Sequence, residues 1–414
     1  MFSLIAQMEF RKALNQFLDQ QVHTNIRMFR RSWCAFQFWL YTGWVLAIIL
    51  AITLSFYLGM SPLIITLCAV AALLSCLILA MAIKIITGEE QYVFYQHAIA
   101  VVTAITTLLW LLGQPIIPYL ALTVLGLCVV STVGRLGCFM VGCCHGRPSR
   151  WGVRYRQEYA DNGFPYYYVG VRLLPTQLLE SLWFLVTTSF LILLLLSEKS
   201  PVKCFTWGIF AYSTGRFLIE FLRGDPERHY LGGFSEAQWT ALALMSLVLW
   251  AEFTGGLPFH LAHLIIFTGV MLLMFTACIS RLLQPETTHQ FFYAPHVGEV
   301  AEAICLITDE PAAIAPHSVW SLPKQRRPQK GVRLICTSLG LRISAGRIEG
   351  TGKPTHHYAI SQRDGLMTRK TAESLAKLLT RLTQAKGSSE LLEGKNGVFH
   401  LLINAENNDG FIYS

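Results

Sequence analysis

The residues of this chain best suited to chemistry are a few ionisable side chains inside strongly apolar stretches. Arg216, Glu220 and Arg223 are spaced i, i+4 and i+7, so a helix would place all three on one face. Ionisable groups are costly inside a membrane, and those that occur there are functional candidates. The remaining members of this set lie on other apolar stretches and are His97, Arg135 and Glu180.

These residue types favour a site for an anionic headgroup at one membrane face. The stretch of His97 begins on the side where those of Arg135 and Arg216 end and where that of Glu180 begins, so all of them lie near one interface. A planar guanidinium binds phosphate oxygens in pairs and stays charged when desolvated. The alternative interpretation is a structural Arg216–Glu220 ion pair with snorkelling residues near the helix ends.

The elements that must position these residues are membrane helices. Of the 414 residues 53% are hydrophobic and 14% are charged, against about 25% charged residues in soluble domains. This composition excludes disorder and argues against an ordinary soluble protein. Stretches near the ~20 residues needed to cross a bilayer predict eight spans, at 35–57, 62–83, 97–113, 117–137, 176–197, 203–222, 236–253 and 259–280.

The predicted fold is therefore an all-α polytopic membrane protein of about seven to eight transmembrane helices with a small C-terminal α+β soluble domain. Residues 1–32 are expected to form an amphipathic N-terminal arm, solvated or interfacial. Residues 33–280 would be the transmembrane domain, and 285–414 the soluble domain. The long polar stretch 138–175 is rich in Gly, Arg and Tyr, and loops of that length are usually functional or disordered.

The C-terminal region has strand and helix patterns. GVRLICTSL, LRISAGRIEG, HHYAISQ and VFHLLIN predict strands, and PKQRRPQKG predicts a basic loop. TRKTAESLAKLLTRLTQA predicts an amphipathic helix with Thr368 as N-cap and Gly387 as C-cap. No metal-ligand, phosphate-loop or triad spacing occurs here, so the sequence assigns this region no function.

Three cysteines require a separate interpretation. Cys138, Cys143, Cys144 and His145 form the pattern C-x4-C-C-H. Structural zinc sites usually pair cysteines two to four residues apart, so we interpret these cysteines as packing residues. A reactive cysteine and a metal site are the alternatives. We expect no metal and no cofactor.

The segment GRLGCFMVGCCHGRPSRWG resembles the signature of prolipoprotein diacylglyceryl transferase, the bacterial family that lipidates lipoprotein precursors. PTQLLES, RFLIEFLRGDP and GFSEAQWTALALM resemble the segments that follow it in the family, in the same order. His97 stands where the family has a His-Gly-Gly turn, and Tyr41 stands for the tyrosine of its first span. The resemblance covers roughly residues 35–255.

The resemblance implies an integral-membrane enzyme that moves a diacylglyceryl group from phosphatidylglycerol to a lipobox cysteine thiol, releasing glycerol phosphate. It implies Arg135 and Arg216 as essential headgroup-binding residues and His97 as a candidate base. Glu220 and Arg223 would be a supporting pair. The substrate-binding positions that it implies are Tyr41, Gly134, Cys138, Gly142, Gln177, Glu180, Glu220, Arg223 and Gln238.

The chain departs from the family signature at three positions. Cys138 and Val141 replace two asparagines, and Cys143 replaces a glutamate. These changes point to a divergent member with a different acceptor, or to a catalytically inactive lipid-binding membrane scaffold whose C-terminal domain recognises a partner. The expected partners are phosphatidylglycerol or another anionic phospholipid and a lipoprotein precursor. Nucleic acid is not expected, because the Lys and Arg residues are scattered.

The expected location is the bacterial inner membrane, with several passes through it. The positive-inside rule would put the arginine-rich side in the cytoplasm, because the opposite side has only Lys199 and Lys203 in its loops. The resemblance implies the extracytoplasmic side instead. Arginines that bind phosphate would be counted as if they marked the cytoplasmic side. We therefore favour the orientation that the family resemblance implies.

Overall fold

The computed structural model describes residues 2–28, 30–88, 94–283, 289–308, 334–348, 355–384 and 388–404. Within these ranges an N-terminal helix is followed by eight long helices and by a C-terminal α+β region, which confirms the predicted fold class. The helices up to residue 283 are α1 (Phe2–Gln21), α2 (Ala35–Tyr57), α3 (Pro62–Thr87), α4 (Phe94–Leu111), α5 (Ile116–Val141), α6 (Gln157–Ala160), α7 (Thr176–Glu198), α8 (Pro201–Glu220), α9 (Glu236–Phe253) and α10 (Leu261–Leu282).

Each of the eight predicted spans contains one of these helices. Five of them, α2, α3, α5, α7 and α10, are long and apolar enough to cross a bilayer, and α4 is apolar but shorter. In α8 the ionisable residues Arg216 and Glu220 lower the mean hydropathy, and in α9 Glu236 and Glu252 do the same. These two helices contribute the buried carboxylates of Glu220 and Glu252.

Helix α5 lies at the centre of the membrane part and packs against α2, α7 and α8. Glycines allow the close approach of α2. A Cβ added at Gly137 would lie 3.1 Å from the Phe36 oxygen, and one added at Gly43 would lie 3.2 Å from the Val130 Cα. Small residues of this kind permit tight helix packing in membranes. The end of α5 that contains Arg135 is therefore held firmly against its neighbour.

The polar stretch after α5 is a small folded layer, which we call the polar layer and define as residues 142–175. It consists of two short antiparallel strands, the helix α6 and a 3-10 turn. Its tyrosines Tyr155, Tyr159 and Tyr168 are fully buried, and Tyr155 donates a hydrogen bond to the Phe139 oxygen at 2.8 Å. The strands are β3 (Pro148–Arg154) and β4 (Arg172–Leu173), numbered after β1 (Asn25–Met28) and β2 (Arg31–Cys34).

Helix α1 is amphipathic, as predicted, but it docks on the polar layer. The Asn15 side chain accepts a hydrogen bond from the Gly152 amide at 2.9 Å, and the Asp19 carboxylate lies 2.9 Å from Arg172 Nη2. Leu18 on the same face is buried. Part of α1 therefore packs on protein, while Phe10 and Phe17 of the same helix are exposed, and the interfacial position of the arm stays a prediction.

The C-terminal region contains one five-stranded antiparallel sheet in the order β10-β11-β9-β8-β7. All four predicted strands are confirmed, and β10 was not predicted. Thr368 is the predicted N-cap, since its hydroxyl accepts from the Thr371 amide. The predicted C-cap Gly387 and the loop PKQRRPQKG lie outside the described residues. The elements are α11 (Ala294–Thr308), β7 (Leu334–Cys336), β8 (Leu341–Ile348), β9 (Thr355–Gln362), α12 (Arg369–Leu382), β10 (Ser389–Glu393) and β11 (Phe399–Asn404), and they follow β5 (Tyr230–Leu231) and β6 (Phe234–Ser235).

The sheet does not have a core of its own. One hydrophobic cluster contains Tyr168 of the polar layer, Val300 of α11, Ile343 of β8 and Leu18 of α1. The polar layer also bonds to the C-terminal region directly, through Arg154 and Gln384 at 2.9 Å. The two end regions of the chain therefore pack together on the side of the membrane part where α5 ends.

Candidate functional site

The Glu180 carboxylate is the centre of the candidate site. It is buried on α7 and lies 2.5 Å from Arg135 Nε, 2.7 Å from Arg216 Nη1 and 3.1 Å from Arg223 Nη1. Three guanidinium groups from three parts of the chain thus meet on one carboxylate. The structure therefore brings these four predicted residues together.

The helices explain why the side chains meet. Arg216 and Glu220 are one turn apart on α8 and form an ion pair at 3.2 Å, as their spacing predicted. Helix α8 ends at Glu220, and Arg223 follows in a turn that aims its side chain back at Glu180. Arg135 comes from the last turns of α5. Each charge therefore projects inward from an element that is itself packed.

A second set of contacts surrounds this centre. Asp225 binds Arg223 through both of its oxygens, at 2.8 and 3.2 Å. Arg228 bridges Asp225 and Glu220, at 2.7 Å each. Burial opposes ionisation of Asp225, but Arg223 and Arg228 hold the pKa of this carboxyl well below its ordinary value. The outer contacts therefore keep the inner arginines oriented.

The network formed by these described residues has an excess of positive charge. It contains four guanidinium groups and three carboxylates, which leaves one uncompensated positive charge. The arginines differ in access: the side chains of Arg135 and Arg216 are 11% and 12% exposed, whereas that of Arg223 is 1% exposed. An incoming anion would therefore meet Arg135 and Arg216, while Arg223 holds Glu180 in place.

Sequence reasoning missed Asp225 and Arg228 as members of this network. Both lie shortly after Arg223 in RGDPER. The alternation of opposite charges within a few residues of a membrane helix end was the available signal. It suggests a folded ionic turn rather than a solvated loop.

The cysteine turn, residues 138–144, lies beside the arginines. The Sγ atoms of Cys138, Cys143 and Cys144 all lie within 4.8 Å of one another, and Arg135 Nη1 is 3.9 Å from the Cys138 Sγ. Cys144 has the left-handed backbone angle φ of 58°. The packing interpretation is wrong for Cys143, whose side chain is exposed.

The first turn of α7 holds the cysteine turn in place. Gln177 donates from Nε2 to the Cys143 oxygen at 2.7 Å, and Thr176 donates from its hydroxyl to the Cys144 oxygen at 2.9 Å. Hydrogen bonds from the neighbouring thiols, together with the charges of Arg223 and Arg135, lower the pKa of the Cys144 thiol well below its ordinary value. A thiolate is therefore favoured at this position.

Three of the residues predicted from the sequence make packing or capping contacts near the site. Gly142 ends α5 with a φ of 83°, and a Cβ there would lie 2.8 Å from Phe164. Gly134 faces Leu40 of α2. Gln238 completes a capping box at the start of α9 and donates from Nε2 to a backbone oxygen of α8. These residues shape the helices around the site.

Two further predicted residues lie on α2 and α4. Tyr41 is on α2 with 54% of its surface exposed. His97 is half-buried in the first turns of α4, two residues after Tyr95, whose hydroxyl donates to Glu236 Oε2 at 2.9 Å. The start of α4 therefore lies beside the start of α9. The roles assigned to Tyr41 and His97 stay predictions.

Comparisons with known proteins agree with the resemblance found in the sequence. The sequence profile of the family "Prolipoprotein diacylglyceryl transferase" matches residues 44–254. A phosphatidylglycerol–prolipoprotein diacylglyceryl transferase of Clostridium tetani is 30% identical over 129 residues, which are 31% of this chain and 49% of that protein. A protein of the same name from Clostridium perfringens, numbered 2, is 34% identical over 126 residues, 30% of this chain and 46% of that protein. The chain spans about half the length of the curated relatives it matches.

Proposed function

Because the chain belongs to the prolipoprotein diacylglyceryl transferase family, we propose that it is an integral-membrane transferase that moves a diacylglyceryl group from an anionic phospholipid to a thiol. The donor is phosphatidylglycerol, and the acceptor is the cysteine of a lipoprotein precursor or a different thiol. The names of the relatives support these substrates. The observation that carries the proposal is the meeting of Arg135 and Arg216 on Glu180 at one membrane face.

Arg135 and Arg216 bind the phosphate of the donor lipid. Of the three arginines paired with Glu180, these two have exposed side-chain surface, and each forms an ion pair with the Glu180 carboxylate. Guanidinium groups fit phosphate oxygens in bidentate geometry. Phosphatidylglycerol has one negative charge on its phosphodiester, which equals the positive charge left over in the network. Binding therefore neutralises the site.

Arg223, Arg228 and Asp225 are positioning residues. They are tied to one another and to Glu180 and Glu220 by ion pairs of 2.7 to 3.1 Å. A guanidinium that is fixed before the reaction stabilises developing charge without reorganisation. The outer contacts supply that rigidity, and the inner arginines make the contact with the phosphate.

The reaction forms a carbon–sulfur bond and breaks a carbon–oxygen bond. The acceptor sulfur attacks the glyceryl carbon next to the phosphate, and the bonding electron pair leaves on the phosphate oxygen of glycerol phosphate. Negative charge thus builds on the phosphate, where Arg135 and Arg216 stabilise it. The thiol must lose its proton first, since the thiolate is the nucleophile. A histidine accepts such a proton at neutral pH, and His97 is our candidate.

A catalytically inactive lipid-binding scaffold is the second candidate function. The changes at Cys138, Val141 and Cys143 favour it, because they remove polar groups of the family signature. In that case the arginines would hold the lipid without turnover, and the C-terminal region would recognise a protein partner. For either function we propose the bacterial inner membrane as the location and the extracytoplasmic face as the side of the site.

The test uses the full chain in lipid nanodiscs with labelled phosphatidylglycerol and a lipobox peptide. We expect release of glycerol phosphate and a lipidated peptide. The variants Arg135→Ala and Arg216→Ala should lower the rate about 10²–10³-fold, as the removal of one fixed charge-stabilising donor does elsewhere. Arg150→Ala is the matched control, because the Arg150 side chain is exposed on the polar layer.

The outcomes separate the two functions. Bound phosphatidylglycerol without product, with the lipobox peptide and with small thiols alike, would support the scaffold and contradict the transferase. Full activity of Arg216→Ala would overturn the assignment of the phosphate site and leave the transferase proposal standing.

A further inference from the structure

Packing alone does not explain why the three thiols of the cysteine turn lie so close together. We propose that Cys138, Cys143 and Cys144 form a zinc site and that its open fourth position binds the acceptor thiol of the transfer reaction. The second half of this inference rests on the proposed function, and the first half does not. The sequence led us to expect no metal because its spacing does not resemble a zinc motif.

The distances between the sulfurs suit one metal ion. All three Sγ atoms lie within 4.8 Å of one another. Zinc–thiolate bonds are about 2.3 Å long, so three sulfurs around one zinc lie roughly 4 Å apart. Small side-chain rotations would close the difference. Thiolates are soft ligands, and a tetrahedral set of this kind selects zinc over the hard cations.

The backbone around the thiols is fixed from outside the cysteine turn. Gln177 and Thr176 donate to the oxygens of Cys143 and Cys144. Metal sites need supporting contacts that orient their ligands. Cys144 has a left-handed conformation, which is costly for a residue with a side chain, at the point where the three sulfurs lie together. A packing role would not require this conformation.

A cation among the three thiols reduces their charge. Zinc with three thiolates has a net charge of −1, against −3 for three thiolates without the metal, and this charge would lie beside the Arg135 guanidinium. Arg135 Nη1 is 3.9 Å from the Cys138 sulfur, so the guanidinium that we assign to phosphate also stabilises the thiolate set. The metal and the donor phosphate would therefore share one ionic surrounding.

Access to the ion is open on one side. Cys138 is buried, Cys144 is partly exposed and Cys143 is exposed. Three protein ligands with one open position are the arrangement of catalytic zinc sites. A thiol that coordinates zinc loses its proton on binding. The acceptor cysteine would thus arrive as a thiolate beside the arginines that hold the leaving phosphate.

The resulting step is balanced. The acceptor thiol releases its proton to solvent or to a base and binds zinc through sulfur. That sulfur then attacks the glyceryl carbon, the carbon–oxygen bond breaks, and glycerol phosphate leaves with the electron pair. The product is a thioether, which is neutral and a weaker zinc ligand than a thiolate, so it dissociates. The zinc keeps its charge throughout.

The first experiment measures metal without substrate. The full chain, purified under reducing conditions and dialysed against Zn²⁺, should contain one zinc per chain by elemental mass spectrometry. Co²⁺ should give thiolate-to-metal charge-transfer absorption. Cys143→Ser and Cys144→Ser should lose the zinc and the absorption, while Cys34→Ser, at an exposed cysteine of β2, should keep both. Since Cys143 and Cys144 are not fully buried, these variants should fold, and thermal unfolding checks this.

Several results would overturn the site. They are a zinc content near zero with all three thiols reduced, zinc retained in Cys144→Ser, and a disulfide among the three cysteines in the protein as isolated. Removal of the metal with a chelator, followed by addition of Zn²⁺, tests whether the zinc binds the acceptor thiol during the transfer. Product formation unchanged without metal would contradict the acceptor role and leave the transferase proposal standing. Zinc binding without any product would contradict the transferase proposal and, with it, the acceptor role, and would leave the zinc site standing.

Discussion

Arg216 Nη1 lies 2.7 Å from Glu180 Oε1, although the two residues lie on different helices and both are nearly buried. A charge pair inside a membrane protein is stable only when its partners compensate its desolvation. Here the carboxylate takes two further guanidinium groups, so its loss would affect several charges at once. This relationship determines what substitutions at the site will do.

Replacement of Glu180 by Gln should both inactivate and destabilise the protein. Arg135, Arg216 and Arg223 would face one another without their shared carboxylate, and breaking a buried ion pair costs about 3–5 kcal/mol. Thermal unfolding in detergent and product release measure the two effects. Glu198→Gln, at the other end of α7 where Glu198 pairs with Lys203 in a more exposed setting, should change neither quantity appreciably.

Acid should destabilise the protein through Asp225. Arg223 and Arg228 lower the pKa of this carboxyl in the folded state. A lowered pKa gives stability that is complete above the unfolded pKa of about 4 and is lost as the pH falls through the folded value. Melting temperatures measured from pH 7 downward should therefore begin to fall near pH 4, whereas a carboxyl with the same pKa in the folded and unfolded states would add no pH dependence.

The variant Asp225→Asn identifies that contribution. It should melt at a lower temperature at pH 7 and show a smaller loss between pH 7 and acid than the parent chain. Asp161→Asn, at an exposed position of the polar layer, should follow the parent curve. A parallel shift of the Asp225→Asn curve, with unchanged pH dependence, would contradict the assignment.

Removal of the Asp19 side chain should undock α1. Arg172 would lose two hydrogen bonds to the carboxylate, at 2.9 and 3.1 Å, and bonds to charged groups contribute about 1.5–3 kcal/mol each. Asp19→Ala should make α1 sensitive to limited proteolysis. Glu9→Ala removes an exposed pair with Lys12 on the same helix and should leave the cleavage rate unchanged.

The contact between α2 and α5 should not tolerate a methyl group. Gly137→Ala would place a Cβ 3.1 Å from Phe36 backbone atoms, and overpacking of this kind costs about 1–3 kcal/mol. We expect a lower melting temperature and lower activity, because α5 holds Arg135. Gly126→Ala is the matched control on the same helix, since its Cβ would lie 3.7 Å from Ala47. Equal stability of the two variants would contradict this account of the packing.

The sequence predicted the helices because each apolar stretch is long enough to read without tertiary information. It also predicted the strands of the C-terminal region where apolar and polar residues alternate. It did not predict where α1 lies. An apolar helix face suits a membrane surface and a protein surface equally well, and its partner β3 is more than a hundred residues further along the chain.

The candidate site was predictable in its inner part only. The spacing of Arg216 and Glu220 and the alternation of span directions place Arg135 and Glu180 at the same end. The convergence of the thiols depends on one left-handed residue, Cys144, and cysteine has no preference for that conformation that a sequence would reveal.

The shared hydrophobic cluster has a consequence for biosynthesis. The ribosome makes the membrane helices and the polar layer before α11 and α12, which contact that layer. Domains generally fold as their residues emerge, but here the buried tyrosines of the polar layer wait for helices made more than a hundred residues later. This end of the bundle therefore matures only once the C-terminal region has been made, and a ribosome stalled beyond α10 would leave an inserted bundle whose arginines are present and whose supporting layer is still open to solvent.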